Sequence, residues 1–404
     1  MKLSWKEYDT QIRCRVTQGA EIMGYLVIDS TIGNRSGGGL RMLPDIDELE
    51  IRSLARAMTL KYGFLGLPQG GAKAGVYGDP KAPESARIQT LTKFGQAISP
   101  LIQKRIYYPS ADMGTDNTII RKMLCSIGIK VRYRELRGTR SGYYTAHSVM
   151  AGAVQATRFL GLNLHESTAA IEGFGKVGAP LASLLAKAGM RVVAISTSRG
   201  AIMAPDGLNV ERLLQIKKEK ADHVLEFYDS AKRIDKEALL KLPVTLLSPC
   251  ARHNTIHKDN AESIKARILC PGANNPITPE AEKILFKKGI LCLPDFVTNS
   301  GGVLGGTMEF ALVKPKRIES FITQLLGARI KNLLKEAEDK DILPREIAIP
   351  LSLNRFHKMK QEASYPTPIS RIFGFALELY RRGVVPGNIV SFLAPSFFAK
   401  RLQL

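Results

Sequence analysis

The chain has 404 residues, 45% hydrophobic and 24% charged, which fits a globular protein of roughly two to three domains and excludes disordered, collagen-like and coiled-coil classes. No stretch reaches the ~18 uninterrupted apolar residues of a membrane span. Lys plus Arg number 58 against 37 Asp plus Glu, a net charge of +21 that favours anions of every kind without choosing among them.

The first residues, Met1 to Asp9, lack the apolar core of a signal peptide. The five cysteines (Cys14, Cys125, Cys250, Cys270, Cys292) are scattered and form no Cys-x-x-Cys pair, so a reducing, cytoplasmic compartment is expected. No Lys/Arg block of the kind found in interaction tails occurs, and no nucleic-acid partner is expected.

Along the first 140 residues, Tyr25 to Asp29 reads as a strand and Gly37-Gly-Gly39 as a turn that brings backbone close to something. Glu48 to Tyr62 carries apolar residues at helical spacing. A second turn-rich stretch, Gly66 to Gly75, follows at once. Three polar residues lie in apolar or glycine-rich surroundings here: Lys61, Lys73 and Asp112. Desolvation of Lys73 between glycine and alanine would lower its pKa toward acid–base values. Lys61 could fix a carboxylate, and Asp112 could pass a proton.

From Ser141 the pattern changes. A helix over Thr145–Leu160 precedes a strand, Thr168–Glu172, the loop Gly173-Phe-Gly-Lys-Val-Gly178, a helix to Ala188 and a strand from Arg191 to Ser196. Further strands are expected at 244–248, 266–270 and 289–293, which argues for a parallel sheet covered on both faces. The loop matches G-x-G-x-x-G between strand and helix. Gly173 would make the tight turn, and Gly175 would admit the pyrophosphate to backbone N–H groups. Gly178 would let the helix lie close to the strand. The backbone of Phe174, Lys176 and Val177 completes that loop. No carboxylate stands at the end of the second strand. Thr197 and Arg199 do, which favours NADP over NAD. The region after Glu309 reads as helical.

Residues 22–360 resemble the glutamate/leucine/phenylalanine/valine dehydrogenase family, with the leucine dehydrogenase-like members nearest in pattern. The resemblance rests on ordered motifs: Gly38-Gly-Leu-Arg-Met42, Leu54 to Lys61, Gly70-Gly-Ala-Lys-Ala-Gly75, Ala111-Asp-Met-Gly-Thr115, Ser141-Gly142 with Thr145-Ala146, and the glycine loop. Ser248-Pro-Cys-Ala251, Gly272-Ala-Asn-Asn-Pro276 and Pro294 to Val303 continue it. It implies an α/β fold with an N-terminal substrate and oligomerisation domain (1–144), a Rossmann-type dinucleotide domain (145–309) and C-terminal helices (310–404) returning to the first domain. The site would be the cleft between the two domains.

The implied reaction is reversible NAD(P)-dependent oxidative deamination of an L-amino acid to a 2-oxo acid and ammonia, by a homo-oligomer. The resemblance makes Lys73 and Asp112 catalytic and gives Lys61 the substrate α-carboxylate, with Gly39 and Asn275 beside the substrate. It places Asn274 and Thr145 at the nicotinamide side. Glutamate enzymes hold the side-chain carboxylate with a lysine and a serine at places that here are Gly37 and Gly306. A neutral substrate is therefore expected, and the two glycines suggest room for a large apolar or aromatic side chain. Tyr143 and Tyr144 also depart from the family pattern.

Two further signals remain. Cys250, His253 and His257 have a spacing a metal could use on one helical turn but lack a fourth ligand, and no metal is expected. Basic and aromatic residues alternate after about residue 360, giving a basic amphipathic extension whose candidate contacts are another copy, a membrane or another partner.

Overall fold

The computed structural model of the chain describes residues 12–132, 134–136 and 140–403. The segment Met1–Asp9, read above for a leader, lies outside the described residues. Two sheets organise the fold. The first runs β1-β2-β4-β3-β5, from β1 (Ile12–Gln18), β2 (Glu21–Ile28), β3 (Ser36–Leu43), β4 (Gly70–Tyr77) and β5 (Tyr107–Ala111). Helix α1 (Glu48–Leu65) crosses between the parallel strands β3 and β4. Helices α2 (Glu84–Ala97), α3 (Ser99–Gln103) and α4 (Asn117–Ser126) complete this half.

The second sheet runs β12-β11-β10-β6-β7-β8-β9. Its strands are β6 (Thr168–Glu172), β7 (Arg191–Thr197), β8 (Gly200–Met203), β9 (Lys232–Ile234), β10 (Leu246–Pro249), β11 (Ile268–Leu269) and β12 (Leu291–Cys292). Strands β12, β11, β10, β6 and β7 are parallel, while β8 and β9 turn back antiparallel at one edge. Helix α5 (Ser141–Phe159) leads into this sheet, and α6 (Gly178–Lys187), α7 (Val210–Lys220), α8 (Lys236–Leu240), α9 (Lys258–Ala261), α10 (Pro279–Lys287) and α11 (Asp295–Thr298) accompany its strands. The chain goes from β6 to β7 on one side and returns to β10 on the other. In open sheets of this order, ligands bind at the carboxyl ends of the strands beside such a reversal.

The remaining chain is helical: α12 (Gly301–Phe310), α13 (Pro315–Phe321), a π-helical turn at Ile322–Leu326, α14 (Gly327–Asp339), α15 (Pro344–Ser364), α16 (Pro368–Arg382) and α17 (Gly387–Gln403). Helix α15 packs along α1, while α12 and α14 pack on α5. On α16 and α17, Ile372, Phe373, Phe375, Ile389, Phe392 and Leu393 are exposed. Among the described residues no helix is long and apolar enough to cross a membrane.

One expectation is corrected here. Gly37–Gly39 and Gly70–Gly75 are not turns; they lie within β3 and β4, which pair side by side. Their glycines answer to close approach of neighbouring backbone. A Cβ on Gly38 would stand 1.6 Å from the Ala72 carbonyl oxygen, and one on Gly71 would stand 2.2 Å from the Thr59 amide nitrogen. Helix α1 can therefore lie directly on the two strands, its start capped by the Asp47 carboxylate and its end by the left-handed Gly66. Gly71→Ala should accordingly destabilise the protein by about 1–3 kcal/mol. A melting temperature equal to wild type would show that α1 does not seat on β4 as described.

Candidate active site

Lys61 sits in the last two turns of α1, Lys73 in mid-β4, and Asp112 just beyond β5. Strands β4, β3 and β5 are adjacent, so the two lysines and the aspartate converge above β3. Lys73 Nζ is 2.5 Å from Asp112 Oδ2, and Arg41 Nε donates to the same oxygen at 3.0 Å. Arg41 also pairs with the buried Glu50 of α1. The site can hold this pair because of Gly39: a Cβ there would fall 2.7 Å from Asp112 Cβ and 3.1 Å from Lys73 Nζ. Thr115 Oγ1 accepts from the Asp112 amide at 3.0 Å and donates to the Leu40 carbonyl at 2.7 Å, fixing the turn.

Burial sets the electrostatics. It pushes Lys73 below the ordinary lysine range, against the pull of Asp112. It lowers Lys61 to about 8, with Lys73 acting in the same direction and Asp295 and Asp112 opposing. Burial alone would raise Asp112, but the Lys73 ammonium and the Arg41 guanidinium override it and hold the carboxyl well below the usual carboxylate range.

The glycine loop follows β6 as its motif predicts. Gly173 has φ +96°, a conformation that a side chain would strain. Gly175 has no atom within 4 Å of where a Cβ would stand, leaving open space over the loop backbone. A Cβ on Gly178 would stand 2.0 Å from the Gly173 carbonyl oxygen. The start of α6 has no side-chain cap, so its first N–H groups face the loop unclaimed by a side chain. These features fit a dinucleotide pyrophosphate. Lys176 is exposed beside the loop and Val177 is half-buried, whereas the Phe174 side chain is buried in the core and contributes only its backbone. Thr145 lies in the first turn of α5, donating to the Ser141 carbonyl and packed close to Gly302 of α12.

The structure adds protein contacts around several of the expected site residues. Asn274, expected at the cofactor, accepts from Lys61 Nζ at 3.0 Å and from Asn299 Nδ2 at 2.9 Å. Asn275, expected at the substrate, adopts φ +48°, donates its amide to Asp295 Oδ2 and reaches across to Ser53 of α1 at 2.6 Å. The room expected beside Gly37 is filled, because a Cβ there would meet Gln69 Nε2 at 1.9 Å and the Tyr62 hydroxyl at 3.3 Å. Gly306 does face open space. Arg199 is 3.2 Å from Glu226, so its guanidinium is shared with a carboxylate from a segment that follows α7. Tyr144 is pinned by a 2.8 Å hydrogen bond to Glu309 and packed against Gly305, holding α5 to α12.

Cys250, His253 and His257 do not lie on one helical turn. Cys250 Sγ is 3.4 Å from Ser248 Oγ, His253 pairs with Glu50, and His257 pairs with Asp259. Sequence reasoning missed Glu50, Gln69, Glu226, Asp295 and Asn299. Of these only Asp295 and Asn299 fall inside a motif that carries the family resemblance. Behind Asn275, Asp295 is fully buried and bonded to Arg345 of α15 at 3.0 Å, as Glu282 of α10 is at 2.5 Å.

A glycine loop of dinucleotide-binding form in one half and a buried lysine–aspartate pair in the other are the combination expected of a dinucleotide-dependent oxidoreductase. Comparison with known proteins narrows the class. The glutamate/leucine/phenylalanine/valine dehydrogenase family model matches residues 139–363, and the model of that family's dimerisation domain matches residues 6–127. A glutamate dehydrogenase of Thermotoga maritima is 32% identical over 363 residues, covering 85% of this chain and 87% of the relative. An NADP(+)-dependent glutamate dehydrogenase of Pyrobaculum calidifontis is 32% identical over 295 residues, 68% of each chain. In fold, the chain is similar to the hetero-hexameric glutamate dehydrogenase of Thermus thermophilus in its leucine-bound form, with a TM-score of 0.73 at 24% identity, covering 87% of this chain and 89% of that one. The chain belongs to the glutamate/leucine/phenylalanine/valine dehydrogenase family and is an NAD(P)-dependent amino acid dehydrogenase.

The buried lysine carries a testable stability cost. A folded-state pKa of about 8, below the unfolded value, means that the unfolded chain binds more protons between pH 8 and 10.5, so stability rises with pH across that window. Lys61→Met should therefore gain roughly 3 kcal/mol at most over wild type at pH 7, with the gain fading toward pH 10. Urea unfolding at pH 7 and 9.5 measures it; a difference that is constant with pH would refute the burial effect.

Proposed function

We propose that the chain carries out reversible oxidative deamination of an L-amino acid with a neutral side chain, giving the 2-oxo acid and ammonia. The observation that carries this reading is the buried Lys73–Asp112 contact, with Lys61 of the neighbouring helix bonded to Asn274 on the dinucleotide side. The bound NAD(P) supplies a hydride acceptor for the substrate Cα. Everything else falls to the chain. Lys61, largely protonated at neutral pH, holds the α-carboxylate. Asp112 and Lys73 exchange protons as a coupled pair: Asp112 takes the amine proton as hydride leaves, and Lys73 activates the water that attacks the resulting imine. Burial keeps bulk water from both steps. Residues 1–144 would act as the substrate domain, 145–309 as the dinucleotide domain and 310–404 as the returning helices, with the chain working as an assembly of copies.

The neutral-substrate reading rests on charge. Gly37 and Gly306 offer neither a cation nor a hydroxyl, and Arg41 is already engaged by Asp112 and Glu50. A buried carboxylate without a partner costs several kcal/mol, roughly. The case for an aromatic side chain is weaker, since Gln69 occupies the space at Gly37. Glutamate is the second reading, favoured by the name of the Thermotoga relative. NADP is the preferred cofactor: Thr197 replaces a repelling carboxylate, and the exposed Arg199–Glu226 pair is weak enough to yield Arg199 to a phosphate.

Steady-state kinetics with glutamate, leucine, phenylalanine and tryptophan, each with NAD and NADP, tests the proposal. The best kcat/KM is expected for a neutral amino acid with NADP, and a preference for glutamate would end the neutral reading. Gly37→Lys combined with Gln69→Ala, which clears the lysine's path, should raise kcat/KM for glutamate by about tenfold or more, the worth of ~1.4 kcal/mol. No gain would show that this pocket does not meet the substrate side chain. Lys73→Ala should lower kcat by about 10²–10⁴ with cofactor affinity retained. Lys61→Ala should act mainly on KM. Near-normal kcat in the first variant, or an unaltered KM in the second, would reassign the lysines.

A further inference from the structure

Four contacts join α1 and the loop before it to two loops of the dinucleotide half: Arg252 bonds Asp45 through both guanidinium nitrogens at 2.7 and 3.0 Å, His253 Nδ1 lies 2.9 Å from Glu50 Oε1, Asn275 reaches Ser53, and Lys61 reaches Asn274. One of these differs from the rest in what lies behind it. The Glu50 oxygen that meets His253 also meets Arg41, and Arg41 turns its Nε to the Asp112 oxygen that meets Lys73. An unbroken file of side chains thus runs from a partly exposed imidazole on the dinucleotide side to the buried lysine.

We infer that His253 is a positioning residue for the reaction, reporting cleft closure to Lys73 and Asp112 through Glu50 and Arg41. The physical reason is competition for one guanidinium. Glu50 is buried, and a buried carboxylate stripped of one donor draws harder on the donor it keeps. With His253 in place, Arg41 serves both carboxylates. With His253 withdrawn, Arg41 shifts toward Glu50, and Asp112 is left to hold Lys73 as its ammonium. Closure therefore frees Lys73 to act as a base only when the dinucleotide loops have arrived. The charged groups facing His253 are Glu50, Asp45, Arg252 and, through Glu50, Arg41. The sequence places His253 two residues past Ala251 and gives no hint of Glu50, about 200 residues earlier.

The inference rests on the role given to Lys73 above, and the test separates the two. The full-length protein is assayed with NAD(P) and its best amino acid, recording kcat across pH for four variants. His253→Phe, which removes the donor, should move the ascending limb to higher pH by about half a unit or more, equivalent to a roughly threefold loss of kcat on that limb. His253→Gln keeps a donor and should bring the limb back toward wild type. Ser53→Ala cuts a different cross-cleft contact and should lower kcat or raise KM evenly, with the limb in place. A His253→Phe profile that superimposes on wild type would overturn the inference. So would a Ser53→Ala limb displaced as far, since loosened closure would then account for the shift. Normal turnover by Lys73→Ala removes the end point and sinks both readings, whereas an inert Lys73→Ala with an unmoved His253→Phe limb sinks this one alone.

Discussion

The fold is arranged around one requirement: a lysine ammonium and a carboxylate held together out of water. Two buried cations, Lys73 and Arg41, share a single oxygen of Asp112. With Glu50, the other partner of Arg41, the buried charges balance two against two, so removing any one would leave a charge uncompensated, which costs far more than an exposed pair. The strands that carry them must lie close enough to bring these groups into contact, and the helix above must seat on the strands with almost no gap. Glycine is what permits both. Gly38 and Gly71 let backbone meet backbone, while Gly39 leaves the volume into which Asp112 and Lys73 converge.

The second half of the molecule serves the first across the cleft. Asp295 is fully buried and divides its oxygens between the Asn275 amide and Arg345. Because Arg345 belongs to α15, which packs along α1, the C-terminal helices touch both halves and tie the Asn274–Asn275 turn to the body of the protein. The left-handed backbone at Asn275 is thus fixed from behind by a carboxylate and from in front by Ser53. The turn that presents Asn274 to Lys61 is held in place by contacts from both halves of the protein.

Much of this was legible in the sequence, for identifiable reasons. The strand–glycine loop–helix unit at 168–187 follows local rules, since turn and hydrophobic period both lie within twenty residues. Lys61, Lys73 and Asp112 stood out as polar residues in apolar or glycine-rich surroundings. What misled was the meaning of the glycines. A Gly-Gly pair ordinarily signals a turn, yet Gly37–Gly39 and Gly70–Gly71 belong to strands, their small size demanded by neighbours distant in sequence. Glu50, Gln69 and Glu226 were invisible for the same reason. Each acquires its role only by facing a residue from another element, and a single chain read in order carries no record of such pairings.

The last two helices have a consequence for how the protein behaves in bulk solution. The family match stops at residue 363, and beyond it α16 and α17 display phenylalanine, isoleucine and leucine to water on a molecule of net charge +21. Two forces of different range then govern encounters between molecules. Mutual repulsion of the cationic bodies acts over about 10 Å at 0.1 M salt and shrinks as salt rises, while apolar attraction acts at contact and persists. Charge repulsion is therefore one component of colloidal stability. It erodes with ionic strength, and stabilising salts such as sulfate, which strengthen apolar association, remove it soonest.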